Sequence, residues 1–172
     1  LWDGKRSPID LANLAVTDAL GLRGEIPAPR PIAAGLFNAI PEAPALAAPA
    51  IAEAGAPTHY ELSTPAPVGS VVAAYEADNT IRYYAVLVDG LQPVSPVLAS
   101  ILRNTNSYGL DQPPRLGVDE VARMPVSRAI DTTVYPSDPV TLVSASADPV
   151  TCARWTKPVD ATESSLTVLS GA

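Results

Sequence analysis

Cys152 and His59 are the chain's only cysteine and its only histidine. These side chains most often supply nucleophiles, metal ligands and proton relays near neutral pH. A Cys–His catalytic pair needs an orienting third group, and a structural zinc site needs four ligands, more than one of each provides. His59 stands beside Tyr60 in an Ala/Pro-rich stretch, the setting of a surface or packing side chain. The two lysines, Lys5 in Asp3-Gly4-Lys5-Arg6 and Lys157 before Pro158, do not end a Gly-rich turn as phosphate cradling requires. There is no Gly-x-Ser-x-Gly elbow, dinucleotide fingerprint, His-Glu-x-x-His or Cys-x-x-Cys. Asp119-Glu120 could make an acid pair, but they fall in the first turn of an expected helix, where negative charge is favoured anyway. Lys5-Arg6 could hold an anion, yet two adjacent charges read as a solvated face. Asp3 and Asp89 read as turn residues, and Trp2 and Trp155 as anchors of the core. No residue is therefore singled out as catalytic, cofactor-binding or metal-ligating.

The elements that would position such groups must come from a thin core. Hydrophobic residues make up 47% of 172, but 28 of them are Ala and only 5% of the chain is aromatic. The 19 Pro and 10 Gly call for many turns and extended stretches. Eleven basic against 18 acidic residues leave a charge of -7, which repels phosphate backbones and excludes a nucleic-acid partner. The longest uncharged run, 62–75, holds Ser, Thr, Pro and Gly and is no membrane helix. No signal peptide is visible. The chain opens at Leu1-Trp2-Asp3-Gly4 without Met and stops just past an apolar run, the expectation for a segment of something longer.

An internal repeat is visible. Ser7-Pro8 recurs as Ser95-Pro96, Gly21-Leu22 as Gly109-Leu110, Asp3-Gly4 as Asp89-Gly90, Pro29-Arg30 as Pro114-Arg115 and Pro41 as Pro125. Each landmark has a physical role. Asp-Gly suits a tight turn. Ser-Pro suits a helix start, Ser as cap and Pro at the first position. Asp10 adds charge to the first turn, and Ile9, Ala12, Val16, Ala19 and Leu20 form a stripe at helical spacing. Gly21 and Gly109 are expected to stop their helices in the left-handed conformation. Short second helices are expected at 31–39 and 118–124, ended by Pro41 and Pro125. Such a unit cannot bury its own face and must stack on something.

The division that follows has a first repeat unit at 1–41, an Ala/Pro-rich tether at 42–67, a core hairpin at 68–88, a second unit at 89–139 and core strands at 140–172. In the hairpin, Ala77-Asp78-Asn79 makes the turn, and 81–88 is apolar on both sides, as in a strand covered on two faces. Further strands are expected at 140–144, 150–155 and 165–169. The fold class is α+β, with small strand-turn-helix units flanking a β-rich core of short strands.

Several motifs resemble the EccB family of type VII (ESX) secretion systems: the stretch from Asp3-Gly4-Lys5-Arg6-Ser7-Pro8 to Leu11, then 31–41, Val68-Gly69-Ser70-Val71, Tyr83-Tyr84-Ala85-Val86-Leu87, Asp148-Pro149-Val150-Thr151-Cys152 and 166–171. They span the chain in order. The resemblance implies a periplasmic region of a membrane subunit, anchored at the inner membrane by a single-pass helix outside this chain, in mycobacteria or their relatives. It implies a structural role in protein export. The implied partners are an FtsK/SpoIIIE-type ATPase, a channel-forming subunit, a further membrane subunit and other copies of itself. Proteins of the family are often called ATPases, but the residues carry no nucleotide motif, so no cofactor is expected. The alternatives are an ATP-hydrolysing subunit and a cell-wall-binding or cell-wall-hydrolysing module. Cys152, alone in a short strand near Trp155, reads as a buried filler. The resemblance implies a disulfide there instead, with a partner outside this chain.

Overall fold

The structure, a computed structural model, describes residues 1–22, 28–75 and 80–171. Its centre is built by the apolar run that follows Val68. Val71–Tyr75 (β1), Ile81–Leu87 (β2) and Gly90–Val94 (β3) form an antiparallel meander, and Arg115–Leu116 (β4) joins parallel to β1. The strand order is β3-β2-β1-β4. The expected hairpin forms, with Val71 opposite Ala85 and Tyr75 opposite Ile81. Its expected turn, Ala77-Asp78-Asn79, lies outside the described residues. Ala85, Val86 and Leu87 are all buried, as two-sided cover demands. Val71, Ala85 and Leu87 belong to one cluster, and Val72, Val86, Leu91 and Leu116 to another on the opposite face. β3 and β4 carry no strand signal of their own in the sequence. Pro93 can sit in β3 because it pairs only with Tyr84 at the sheet's edge.

Helices cover the first face. Pro96–Thr105 (α3) starts as expected: the Ser95 hydroxyl accepts from the Leu98 amide at 3.2 Å, and Pro96 takes the first turn. Val97, Leu98, Ile101 and Leu102 are buried in the first cluster together with Val16, Ala19 and Leu20 of the shorter helix Leu14–Ala19 (α1) and its cap. Burying a Val, Leu or Ile side chain contributes about 1.5–3 kcal/mol, so this patch dominates a core short of aromatics.

The first Ser-Pro does not start a helix. α1 begins six residues later, its cap Asn13 accepting from the Ala15 amide at 3.1 Å. The Ser7 hydroxyl instead accepts from the Trp2 indole at 3.0 Å, and the Pro8 carbonyl accepts from the Leu46 amide at 2.9 Å. Backbone groups committed to a parallel bridge cannot also close helical turns. Gly21 does end α1 in the left-handed region (φ 83°), with its amide on the Asp18 carbonyl and the Leu22 amide on the Thr17 carbonyl. Gly109 stops nothing. α3 has already ended at the extended Asn106, and Gly109 forms a separate turn with Tyr108, both at positive φ. The second short helices form at Ala34–Ala39 (α2) and Val118–Arg123 (α4), just before Pro41 and Pro125.

The C-terminal part departs further from expectation. Residues 140–144 make no strand; the Val140 amide is taken by the Leu20 carbonyl at the end of α1, and Leu142 and Val143 are exposed. Val150–Thr156 (β5) and Ser165–Gly171 (β6) are strands, but they pair only with each other over seven residues. They form a separate ribbon with no fully buried residue, so they are not strands of this core. Residues 42–67 hold no regular element, as a Pro-rich stretch should not. They do not span a gap but pack along the body: Leu46 and Ala66 are buried, and the Ala47 carbonyl accepts from the Tyr135 hydroxyl at 2.9 Å.

Candidate functional site

The Lys5-Arg6 pair is not a free anion site. The Lys5 ammonium lies 5.4 Å from the Trp2 ring centroid. The Arg6 guanidinium stacks on Phe37 at 4.2 Å, pairs with Glu42 at 2.9 Å, and its Nε donates to the Ile40 carbonyl at 3.0 Å. Arg6 thus joins the Asp-Gly turn, the end of α2 and the start of 42–67. Its backbone bridges the same places, its amide donating to Pro41 and its carbonyl accepting from Ala43.

A matching backbone frame recurs at residues 91–127. The Leu91 amide donates to the Pro125 carbonyl, and the Leu91 carbonyl accepts from Ser127. The joining side chain here is the buried Gln92. It donates to the Ile130 carbonyl at 2.6 Å and accepts from the Ile130 amide at 2.9 Å. The only hint of this in the sequence is one amide inside the apolar run 91–94.

Asp119 and Glu120 do sit in the first turn of α4, as expected. Glu120 has a further role that the sequence hides: its carboxylate accepts from the Ser63 amide and the Ser63 hydroxyl, both at 2.7 Å. Those two bonds hold its carboxyl below the usual value. Tyr60 lies over Leu87, and its hydroxyl donates to the Leu87 carbonyl at 3.0 Å. Burial pushes that hydroxyl up to about 12, against the carbonyl bond and with help from Asp89. Asp3 is a turn residue as expected, at φ 44°. Asp89 stands with Val88 in the two-residue link between β2 and β3, and Gly90 is already the first residue of β3. His59 is exposed. Among the described residues no group of three His, Cys, Asp or Glu side chains is placed to hold a metal ion.

Trp2 anchors the first cluster as expected, but Trp155 does not: it is 64% exposed on β5. Cys152, a buried filler by residue type and a disulfide candidate with an outside partner by the resemblance, is an exposed thiol without a partner cysteine in this chain, on the same strand opposite Leu169. The reason is common to both. Among the described residues β5 pairs with β6 alone, though α2 touches it, and a two-stranded ribbon buries little by itself. One side of the ribbon presents Val150, Cys152 and Leu169, and the other presents Trp155 across from Leu166. Regular structure leaves this apolar surface open, the kind that marks a contact surface. A groove of about 510 Å³ between Trp2, Lys5, Tyr135 and Asp138 is wide and shallow, without the enclosure that small-ligand sites have.

All of residues 1–172 match the family described as "Type VII secretion system ESX-1, transport TM domain B", that of EccB. The chain belongs to the EccB family. It is 74% identical over 172 residues to the protein named ESX-3 secretion system ATPase EccB3 of Mycolicibacterium smegmatis, covering 100% of this chain and 33% of that protein. Against the Mycobacterium tuberculosis protein of the same name the identity is 63% over 178 residues, again 33% of the relative. The chain therefore spans about a third of the length of these EccB relatives. Among solved structures it resembles "Structure of EccB3 dimer from the ESX-3 core complex" with a TM-score of 0.91 at 74% identity, over 99% of this chain and 42% of that one. It resembles "Structure of the periplasmic assembly from the ESX-5 inner membrane complex, C1 model" with a TM-score of 0.79 at 33% identity, over 98% and 41%. The α+β class expected from the sequence is thus the class of an EccB fold. Among the described residues no helix is long and apolar enough to cross a membrane.

Proposed function

We propose that this chain is a structural module on the periplasmic face of a type VII secretion (ESX) membrane complex, taking part in its assembly and in protein export. The observation that carries this reading is the chain-long likeness to the protein of the ESX-5 periplasmic assembly. Two features of the chain support it: the small units are built around backbone frames rather than around a pocket, and the β5–β6 ribbon presents apolar surface on both sides. The partners are other copies of the chain and the membrane subunits of the complex: an FtsK/SpoIIIE-type ATPase, a channel-forming subunit and a further membrane subunit. The anchor is a single-pass helix outside these residues. We read 1–41 and 89–139 as copies of one unit, 42–67 as a strap packed on the body, 68–88 as the core hairpin and 140–172 as the ribbon with its lead-in. We infer that Cys152, exposed on the ribbon, pairs with a cysteine outside this chain, a bond expected to persist in an oxidising compartment. Mass mapping of the unreduced full-length protein reads it directly, and a free thiol there counts against both the bond and the compartment.

The test of the assembly role is Trp155→Asp and Leu169→Asp in the full-length protein. Both should leave the protein expressed while the complex breaks up on a native gel and export stops. An intact, exporting complex with both changes refutes the role given to the ribbon. A second reading, an ATP-hydrolysing subunit, is favoured by the names of the EccB3 relatives. Titration of the full-length protein with ATP and Mg²⁺ separates the two. We expect no saturable heat that depends on Lys5; a micromolar, Mg²⁺-dependent isotherm lost in Lys5→Ala would select the second reading.

A further inference from the structure

Residues 57–67 close on themselves. The Gly55 amide donates to the Val68 carbonyl at 2.8 Å, and the Val68 amide donates to the Ala56 carbonyl at 2.9 Å. The chain leaves and returns through one backbone pair, which makes the segment an Ω-loop. Its base is locked. Gly55 and Gly69 both have positive φ, and the Tyr108 ring fills the space beside them, so a Cβ on Gly69 would collide with the Tyr108 hydroxyl. Pro57, Pro65 and Pro67 stiffen the loop itself.

Ser70 fixes the base as well, its hydroxyl donating to the Pro67 carbonyl at 2.6 Å. Farther out, Tyr60 and Ser63 supply side-chain fastenings to the body. The Tyr60 hydroxyl donates to the Leu87 carbonyl, and Ser63 donates twice to the Glu120 carboxylate. Underneath, Tyr60, Leu62 and Ala66 cover the cluster formed by Val72, Val86, Leu91 and Leu116. The fastenings differ in kind. Tyr60 is half-buried against the sheet, whereas the Glu120–Ser63 pair is exposed, where water replaces hydrogen bonds at little cost.

We propose that residues 57–67 form a hinged lid over the second face of the sheet, with the Glu120–Ser63 clasp as its release point. The lid swings on the 55–56/68 pair as one stiff body while β1, β2 and α4 stay folded. Opening uncovers Leu91 and Leu116, so the apolar face has a closed and an open state selected by one carboxylate on α4. Local openings of this kind occur below the free energy of global unfolding.

Hydrogen exchange with mass readout on the full-length protein tests the lid. Glu120→Ala, which removes both clasp bonds, should raise exchange in the loop by about fivefold, and Ser63→Ala, which removes only the hydroxyl bond, by about twofold, while the β1 and β2 amides keep their wild-type rates. Asp119→Ala, on the same turn but outside the clasp, should leave the loop unchanged. The lid is refuted if loop and strands exchange together in the wild type, or if Glu120→Ala leaves loop exchange as it was. Should Glu120→Ala loosen the strands as well, Ser63→Ala decides: loop-only exchange supports the lid and joint exchange overturns it.

Discussion

Residues 1–41 and 89–139, which we read as two copies of one unit, meet one problem with different materials. In the first, a residue just after a tight turn, Arg6, holds the chain that returns past Pro41; in the second, Leu91 holds the chain that returns past Pro125. The backbone frame is the same, and its filling is not. The first unit sits at the surface and is tied by a charged side chain that stacks on Phe37 and pairs with Glu42. The second lies in the sheet and is tied by Gln92, 6% exposed, whose amide copies a backbone ladder step toward Ile130. The difference follows from spacing. Four residues, Leu91 to Val94, separate Gly90 from Ser95, enough for a strand that delivers Ser95-Pro96 to a free helix start. Only Lys5 and Arg6 separate Gly4 from Ser7, so the first Ser-Pro is still needed for pairing with 42–46 and its helix starts late.

The sharpest break of this comparison is Gly90→Ala. Gly90 has φ 151°, and an added Cβ would run into the Pro125 carbonyl, the atom that receives the Leu91 amide. The second frame must shift, at about 3 kcal/mol or more for strain with a lost buried contact. Urea denaturation should show it as a large drop in midpoint, and a wild-type midpoint would mean that the second frame is not what holds the sheet edge. Next comes Gln92→Leu. It keeps the volume but strands the buried Ile130 amide and carbonyl, at about 2–3 kcal/mol by the same assay. The matching change in the first unit, Arg6→Ala, should cost less, about 1 kcal/mol, because its Glu42 and Phe37 partners are open to solvent. If Arg6→Ala proves the more damaging, the surface unit and not the sheet unit is the stronger.

The same contrast sets the caps apart. Ser95→Ala removes a cap from the Leu98 amide and should cost about 1 kcal/mol. Ser7→Ala removes only an acceptor for the Trp2 indole and should cost a few tenths, with tryptophan fluorescence shifting more than the denaturation midpoint. Equal costs would restore the view that both Ser-Pro pairs start helices.

What could be read from the residues follows the same line. Local signals that work through near neighbours were legible: Gly21 as a helix stop, Ser95-Pro96 as a helix start, the two-sided strand 81–87, and the acids at the head of α4. Signals that depend on a distant partner were not. Nothing at Ser7 reveals that Leu46 competes for its neighbour's carbonyl, nothing at Glu120 points to Ser63, and the pattern of β5 looks like a core strand because its sequence does not say which strands stand beside it. For the same reason Trp155 reads as a core anchor and Cys152, by residue type alone, as a filler, and both are found outside. The chain-long EccB resemblance needed no three-dimensional partner and could be read in full.

The smallest effect concerns pH and again separates the units. Counting back from Pro125 to Pro41, the place of Glu120 in α4 is taken in α2 by Leu36, so α2 has no carboxylate where α4 has the one that clasps a loop. Hydrogen bonds from the Ser63 hydroxyl and amide lower the Glu120 carboxyl, with lesser help from the Gly117 amide and Arg123 and against slight burial. A carboxyl held below its unfolded value, near about 4.3, adds stability that is present above that value and fades as pH falls through the folded one. The clasp is exposed, so the change in midpoint should be slight. The local change should be clear: on acidification the Ser63 amide resonance should titrate with Glu120 and its exchange should rise, and Glu120→Gln should abolish the titration. A Ser63 amide that keeps the same pH profile in Glu120→Gln would show that this carboxylate does not hold the loop in solution, and would leave the two units alike in their response to acid.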